Sequence, residues 1–194
     1  RFGDIPQVEV HCGALESLPR YDCIATAGNS FGLMDAGLDL AIVRYFGRPL
    51  MEVIQARILR DYLGEQPVGT SFLVRTGMPE RPFVAHTPTM RNPMNISGTD
   101  QVYAATWATL LAAAAHNRSG DPPAITTLAL PGFGTGTGGV EILEASLQMR
   151  LAIEHFLKPP AFLNPTVAQE RHERIHYGGR WGFLNPRPRA DLVD

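Results

Sequence analysis

Ile125-Thr-Thr-Leu-Ala-Leu130 is followed by Pro131-Gly-Phe-Gly-Thr-Gly-Thr-Gly-Gly139, and a long amphipathic run begins at Val140. The three segments predict a buried strand, a glycine-dense turn and a helix. Because glycine lacks a Cβ atom, backbone N–H groups in such a turn can approach a ligand closely. The following helix would add unpaired N–H groups and the positive end of its dipole. This segment therefore predicts an anion site that holds a phosphate or diphosphate.

The composition indicates an ordinary globular protein. The chain has 194 residues, of which 44% are hydrophobic and 19% charged, and this predicts one domain with a sizeable core. A net charge of −2 provides no basic field, which argues against nucleic acid or an anionic membrane as a direct electrostatic partner. No apolar run approaches the roughly 20 residues that span a bilayer.

The cysteines and histidines do not form a metal-binding pattern. Cys12 and Cys23 lack CxxC spacing, which predicts reduced, buried thiols in a cytoplasmic protein. Of the six histidines, His172 and His176 are the pair with helical spacing, and no third ligand is apparent. We therefore expect neither a metal ion nor a resident cofactor.

Strand and helix patterns alternate along the chain, and this predicts a three-layer α/β/α domain. The expected strands cover residues 7–11, 22–26, 71–75, 83–87 and 125–130. The expected helices cover residues 38–45, 49–62, 99–117 (with Thr99 as N-cap) and 140–157. Residues 27–37 and 88–98 are expected to be loops. After Leu157 a proline-rich, polar tail is expected to wrap the domain or to be partly loose.

The glycine turn allows more than one interpretation. Gly134-Thr-Gly-Thr-Gly-Gly139 matches the G-x-G-x-x-G pattern of dinucleotide-binding folds. That fingerprint requires a second strand ending in an acidic residue about 20 positions later, whereas here the helix runs into Lys-Pro-Pro. A different phosphate-binding loop is therefore favoured over a dinucleotide site and over a plain tight turn.

Three polar residues follow the strand at residues 22–26. Asn29 can either cap a turn with its own side chain or aim its amide at a ligand hydroxyl, and both readings stay open. Asp39 falls in the first turn of a helix, where an acid is favoured by the dipole whatever the function. Asp35 lies in the loop, where it can serve as a turn former.

In order and spacing, these segments resemble the macrodomains, a family that binds ADP-ribose. Asp22-Cys-Ile-Ala-Thr-Ala-Gly-Asn29 is similar to the family's Asp-Ala-Ile-Val-Asn-Ala-Ala-Asn, and Gly37-Leu-Asp39 to its Gly-Val-Asp. Phe83-Val-Ala-His-Thr-Pro88 is similar to Ile-His-x-Val-Gly-Pro. Residues 129–140 resemble Ile-Pro-Ala-Ile-Ser-Thr-Gly-Ile-Tyr-Gly. Among the branches of the family, the residues of these motifs look closest to a bacterial and phage-tail-associated branch.

The resemblance implies a mixed central sheet with ADP-ribose lying across the carboxyl ends of its strands. It implies a macrodomain over residues 1–157 and a proline-rich extension over residues 158–194 that packs on it or trails from it. Asn29 would bind ribose hydroxyls, and Asp39, or Asp35 in its place, would activate water. The other implied ADP-ribose contacts are Leu15, Gly28, Ser30, Gly37, Pro88, Gly134, Thr135, Gly136, Thr137, Gly138, Gly139 and Val140, with Leu15 and Pro88 on the adenine side.

The chain departs from the family pattern at four places. Ala14 replaces the aspartate that binds adenine, and Thr26 replaces the first asparagine of a pair. The glycine triad is replaced by Met34-Asp35-Ala36. Gly138 stands where an aromatic residue usually covers the distal ribose, and this change is expected to open the pocket.

The resemblance implies an ADP-ribosyl hydrolase that releases ADP-ribose from a modified protein or from an O-acetyl group. The alternative is a reader that binds ADP-ribose without chemistry, which the changes at Ala14 and Gly138 keep open. A third, weaker possibility is a phosphatase acting on ADP-ribose 1″-phosphate.

Overall fold

The computed structural model describes residues 2–175. Its strands are β1 (Cys23–Ala25), β2 (Gly28–Asn29), β3 (Phe72–Arg75), β4 (Phe83–His86), β5 (Pro88–Met90) and β6 (Leu128–Ala129). Its helices are α1 (Gly37–Phe46), α2 (Pro49–Tyr62), α3 (Gln101–Ser119), α4 (Ile142–Leu157) and α5 (Pro165–Arg174), and Leu15–Ser17 forms a 3₁₀ turn.

The sheet is mixed, as expected. Its strand order is β3-β4-β1-β6, with β1 parallel to both β4 and β6, and β3 antiparallel to β4. A second, two-stranded parallel sheet of β2 and β5 continues from the carboxyl ends of β1 and β4. Because β1, β4 and β6 run in the same direction, the segments that follow them leave the sheet at one edge.

Alternation along the strands separates two cores, one on each face of the sheet. Cys23 and Ala25 pack with α3 and the start of α4, whereas Ile24 packs with α1 and α2. On β4, Phe83 and Ala85 belong to the first core and Val84 to the second. Helices on both faces of one sheet confirm the three-layer α/β/α architecture.

Several local predictions are wrong. Residues 7–11 form no strand, because no neighbouring strand pairs with them and Val10 is 72% exposed. The two segments expected to be loops contain β2 and β5. Helix α3 begins at Gln101 with Asp100 as N-cap, although Thr99 Oγ1 accepts a hydrogen bond from the Gln101 N–H at 3.4 Å. Cys12 is exposed rather than buried.

The first part of the tail packs on the domain. Asn164 caps α5 by accepting the Val167 N–H at 2.9 Å. The Arg171 guanidinium lies 5.5 Å from the centre of the Trp107 ring on α3, and Arg174 forms an ion pair with Glu154 on α4. The tail residues His176, Tyr177, Trp181 and Phe183 lie outside the described residues. Within residues 2–175, no helix has the length and apolar character needed to cross a membrane.

Candidate functional site

Three loops meet at the carboxyl edge of the sheet: the first loop (residues 26–36), the middle loop (residues 91–99) and the glycine loop (residues 130–141). The Ser30 N–H donates to the carbonyls of Met90 and Arg91, at 3.1 and 3.2 Å. The Ile96 N–H donates to the Gly138 carbonyl at 2.8 Å. The middle loop therefore ties the other two together, a role that the sequence did not indicate.

The glycine loop presents unused backbone donors. Thr135, Gly139 and Val140 donate their N–H groups to carbonyls inside the loop. Within the described part of the chain, the N–H groups of Gly134, Gly136, Thr137 and Gly138 donate to no acceptor. Such a run of free amides suits an anion with several oxygens. The loop thus has the donors that the sequence predicts for a diphosphate cradle.

The glycines of this loop differ in how much they are needed. A Cβ atom on Gly138 would lie 2.6 Å from the Gly134 carbonyl oxygen and 2.9 Å from the Ile96 side chain. Gly134 and Gly139 have φ angles of +74° and +64°, which residues other than glycine rarely adopt. Gly136 has no heavy atom within 4 Å of its Cβ position. The sequence suggested that glycine at position 138 opens the pocket. It does not, because the loop backbone and Ile96 fill the space that a side chain at position 138 would need.

Helix α4 contributes less to an anion site than expected. It begins at Ile142, beyond the glycine loop, and it has no side-chain cap. Glu141 stands at its N-cap and Glu144 in its first turn. These carboxylates already complement the positive end of the helix dipole and would repel a second anion there. The donors that remain open to an anion here are therefore the free amides of the loop rather than the helix terminus.

Asn29 is committed to the shape of the first loop. Its Oδ1 accepts the N–H groups of Phe31 and Leu33 at 3.1 and 3.2 Å, and its Nδ2 donates to the Leu33 carbonyl at 2.8 Å. The residue is 8% exposed. Of the two readings left open by the sequence, the structure shows the turn-forming one, and a contact with a ligand hydroxyl falls to the second hydrogen of Nδ2.

Asp39 is a buried acid beneath the first loop. It lies in the first turn of α1, and its Oδ1 accepts the Ala27 N–H at 3.2 Å. Burial raises the pKa of Asp39 from 3.8 to about 7, the hydrogen bond from Ala27 opposes this change, and the charge of Asp35 adds to it. A carboxyl group with a pKa near neutrality is suited to general-base chemistry. Asp35 is exposed.

The remaining candidate residues divide by exposure. Leu15 is packed in the core with Ile24 and Ile42, and Pro88 is buried in β5. In the first loop Met34, at 1% exposure, anchors the backbone where the family has glycines. Ser30 and Gly28 are buried, and so are Gly134, Gly138 and Val140. Exposed positions available to a ligand are Gly37, Thr135, Gly136, Thr137 and Gly139.

One polar residue of this region was not among the sequence candidates. His86, at the end of β4, is fully buried, and its Nδ1 lies 2.6 Å from Gln66 Oε1. Its Nε2 has no hydrogen-bond partner within the described residues. Burial lowers the pKa of His86 to about 4, so the ring is neutral at physiological pH. Its position at the carboxyl end of a central strand is the signal that would have identified it.

The comparisons with known proteins agree with this geometry. A family model described as Macro domain matches residues 25–149, which run from the last residue of β1 through all three loops to the first half of α4. The chain belongs to the macrodomain family. An uncharacterized protein of Aquifex aeolicus (strain VF5) is 33% identical to this macrodomain over 120 residues, which are 61% of this chain and 64% of that protein. The chain thus spans less than two thirds of the length of that relative.

Solved macrodomains share the fold. The macrodomain of Mycobacterium tuberculosis DarG has a TM-score of 0.59 at 19% identity, covering 75% of this chain and 88% of that one. The Oceanobacillus iheyensis macrodomain with ADP has a TM-score of 0.61 at 19% identity, covering 79% and 82%. The Trypanosoma brucei macrodomain in complex with ADP-ribose has a TM-score of 0.55 at 21% identity, covering 71% and 52%.

Proposed function

We propose that this macrodomain binds ADP-ribose at the three-loop edge of its sheet and hydrolyses ADP-ribosyl linkages there. The observation that carries the proposal is the presence of two features at one edge of the sheet: a glycine turn with free backbone amides and, beneath the first loop, a buried acid. The solved macrodomains that contain ADP or ADP-ribose give the ligand class. A mono-ADP-ribosylated protein or O-acetyl-ADP-ribose is the proposed substrate.

The glycine loop is proposed to hold the diphosphate. Of its free N–H groups, those of the exposed Gly136 and Thr137 are the donors open to the anion, and backbone donors need no reorganisation when the anion arrives. The charged side chains at this end of α4, Glu141 and Glu144, are acidic. The affinity for the diphosphate therefore rests on hydrogen bonds from the backbone rather than on ion pairs.

Asp39 is proposed to take a proton from the attacking water. The water oxygen bonds to the anomeric carbon of the distal ribose while the bond from that carbon to the acceptor breaks. The acceptor leaves with the electron pair of the broken bond. With a pKa of about 7, Asp39 is half ionised near neutral pH and can accept the proton of the water. The loops would hold ribose and diphosphate so that the attack is aligned.

A reader without chemistry is the second candidate, and one observation favours it. The side chain of Asn29 forms hydrogen bonds within the first loop, so the group expected to orient ribose hydroxyls is already engaged. If hydroxyl positioning is lost, binding persists while the reaction is slow.

Loss of label from a mono-ADP-ribosylated protein separates the two candidates. We expect turnover by the wild type, none by Asp39→Ala, and ADP-ribose binding by both. Binding without turnover in the wild type would leave the reader. Full activity in Asp39→Ala would move the proton transfer to Asp35 or to the substrate's own phosphate.

A further inference from the structure

Three polar side chains converge on the backbone of Gly28, below the first loop. A Cβ atom on Gly28 would lie 2.8 Å from His86 Nε2, 3.2 Å from Asp39 Oδ2 and 3.3 Å from Thr26 Oγ1. Glycine at position 28 therefore lets these groups approach the backbone, and a residue with a Cβ atom would displace His86. All three residues are buried, with exposures of 0% for His86 and Thr26 and 7% for Asp39. The structure thus places an imidazole and a carboxyl group around one point.

The contacts of Gln66 fix the tautomer of His86. Thr70 Oγ1 donates its hydrogen to the Pro67 carbonyl, so it accepts from Gln66 Nε2 at 3.0 Å. Gln66 Nε2 also faces the His86 carbonyl at 3.4 Å. The amide end of Gln66 therefore points to these acceptors, and its Oε1 accepts the hydrogen of His86 Nδ1. His86 Nε2 is left as a bare lone pair.

A buried acceptor without a partner destabilises the folded state, so its presence needs an explanation. Nε2 of His86 is such an acceptor, and it lies near the same Cβ position of Gly28 as Asp39 Oδ2. No hydrogen bond joins the two side chains directly, so any link between them requires a bridging molecule such as a water. Thr26 Oγ1 supplies the third polar partner that a buried water usually has.

We propose that His86 is the positioning partner of Asp39, accepting through one water the proton that Asp39 carries. The carboxyl O–H of Asp39 donates to the water, and the water donates to His86 Nε2 and to Thr26 Oγ1. No net charge enters the core in this state. The lone pair of Nε2 disfavours the ionised carboxylate and favours the protonated one.

The catalytic consequence, which rests on the proposed hydrolase function, is a stronger base. The proton removed from the attacking water goes to Asp39 and is held there by the link to His86. The new bond joins the water oxygen to the anomeric carbon, and the acceptor leaves with the electrons of the broken bond. His86 touches neither the attacking water nor the substrate in this step and acts through Asp39.

Few other groups bear on the charge of the pair. The N–H of Ala27 favours the ionised form of Asp39, and the carboxylate of Asp35 in the first loop disfavours it. His86 is affected by burial alone, and its other neighbours, Gln66 and the Phe72 ring, are uncharged. The ionisation of Asp39 should therefore dominate any titration seen at His86.

The first test uses nuclear magnetic resonance of protein labelled with ¹⁵N in histidine, and it requires no activity. We expect Nε2 of His86 to be unprotonated from pH 5 to pH 9, and its resonance to shift with a midpoint near pH 7. Asp39→Asn should abolish that step, while the matched control Asp35→Asn should keep it. A protonated Nε2, or a resonance that does not respond to Asp39→Asn, would overturn the proposal even if the wild type hydrolyses nothing.

The second test follows the pH dependence of kcat/KM in His86→Phe, which keeps an apolar ring against Phe72. Loss of the acceptor should shift the acidic limb down by about one pH unit, because one hydrogen bond to the protonated acid is lost. A lower rate with an unmoved limb would mean that His86 is merely structural. If His86→Phe does not fold, the resonance experiment on the wild type decides alone.

Discussion

Replacing Asp39 with asparagine should stabilise the protein at neutral pH while removing its proposed chemistry. Asparagine has the shape of the protonated acid and keeps an oxygen for the Ala27 N–H. The wild type must instead hold a buried carboxylate above pH 7. A pKa rise from 3.8 to about 7, at 1.36 kcal/mol per unit, corresponds to a cost of about 4 kcal/mol at high pH.

The sign follows from proton binding. Folded protein keeps the Asp39 proton up to about pH 7, whereas the unfolded chain loses it near 3.8. Between these pH values the folded state binds more protons than the unfolded state. The contribution of Asp39 to the free energy of unfolding therefore falls as pH rises. Its stabilising effect is fully present below 3.8 and lost by about pH 7.

Urea unfolding of wild type and Asp39→Asn at pH 5 and pH 8 measures the effect. The stability advantage of Asp39→Asn should grow by about 2.5 kcal/mol between the two pH values. Asp35→Asn, at an exposed position of the same loop, should show little change and serves as the control. An advantage of Asp39→Asn that is equal at both pH values would refute the reasoning, since it would mean that Asp39 has an ordinary pKa.

Three further outcomes follow from the loops. Gly138→Ala should lower stability by at least about 2 kcal/mol in thermal or urea unfolding, because its methyl meets the Gly134 carbonyl, whereas Gly136→Ala should stay within about 0.5 kcal/mol. Equal effects would contradict the loop geometry. Asn29→Ala should speed amide hydrogen exchange at Phe31 and Leu33, which lose their acceptor; unchanged exchange would restore Asn29 to a purely ligand-facing role. Gln66→Leu should cost about 1–3 kcal/mol in urea unfolding by leaving the His86 Nδ1–H unpaired, and no loss would contradict that hydrogen bond.

The sheet and helices could be predicted because the residues that face the core recur along the sequence at the spacing of a strand or a helix. Strands β1 and β4 and helices α1 and α2 have strong apolar patterns that no other element overrides. The alternating pattern at residues 7–11 wrongly predicted a strand, because alternation alone does not supply a partner strand. The short strands β2 and β5 were missed because their pairing depends on contacts between distant segments, such as Gly28 with Pro88.

The sequence indicated individual elements of the candidate site but not the contacts between them. Glycine density indicated the loop with free amides, and the position of Asp39 indicated an acid in the first turn of a helix. The sequence could not show that Gly138 is packed under Ile96, since that contact joins residues 42 positions apart. Nor could it show that Gln66, 20 positions before His86, fixes its tautomer. Such contacts exist only once the chain has folded.

Titration calorimetry with ADP-ribose tests the central claim most directly, with AMP, ADP and NAD as comparisons. The account expects saturable binding of one ADP-ribose per chain, clearly tighter than AMP, which lacks the diphosphate that the free amides of the glycine loop would hold. Absence of binding at two temperatures, or equal affinity for AMP and ADP-ribose, would contradict it.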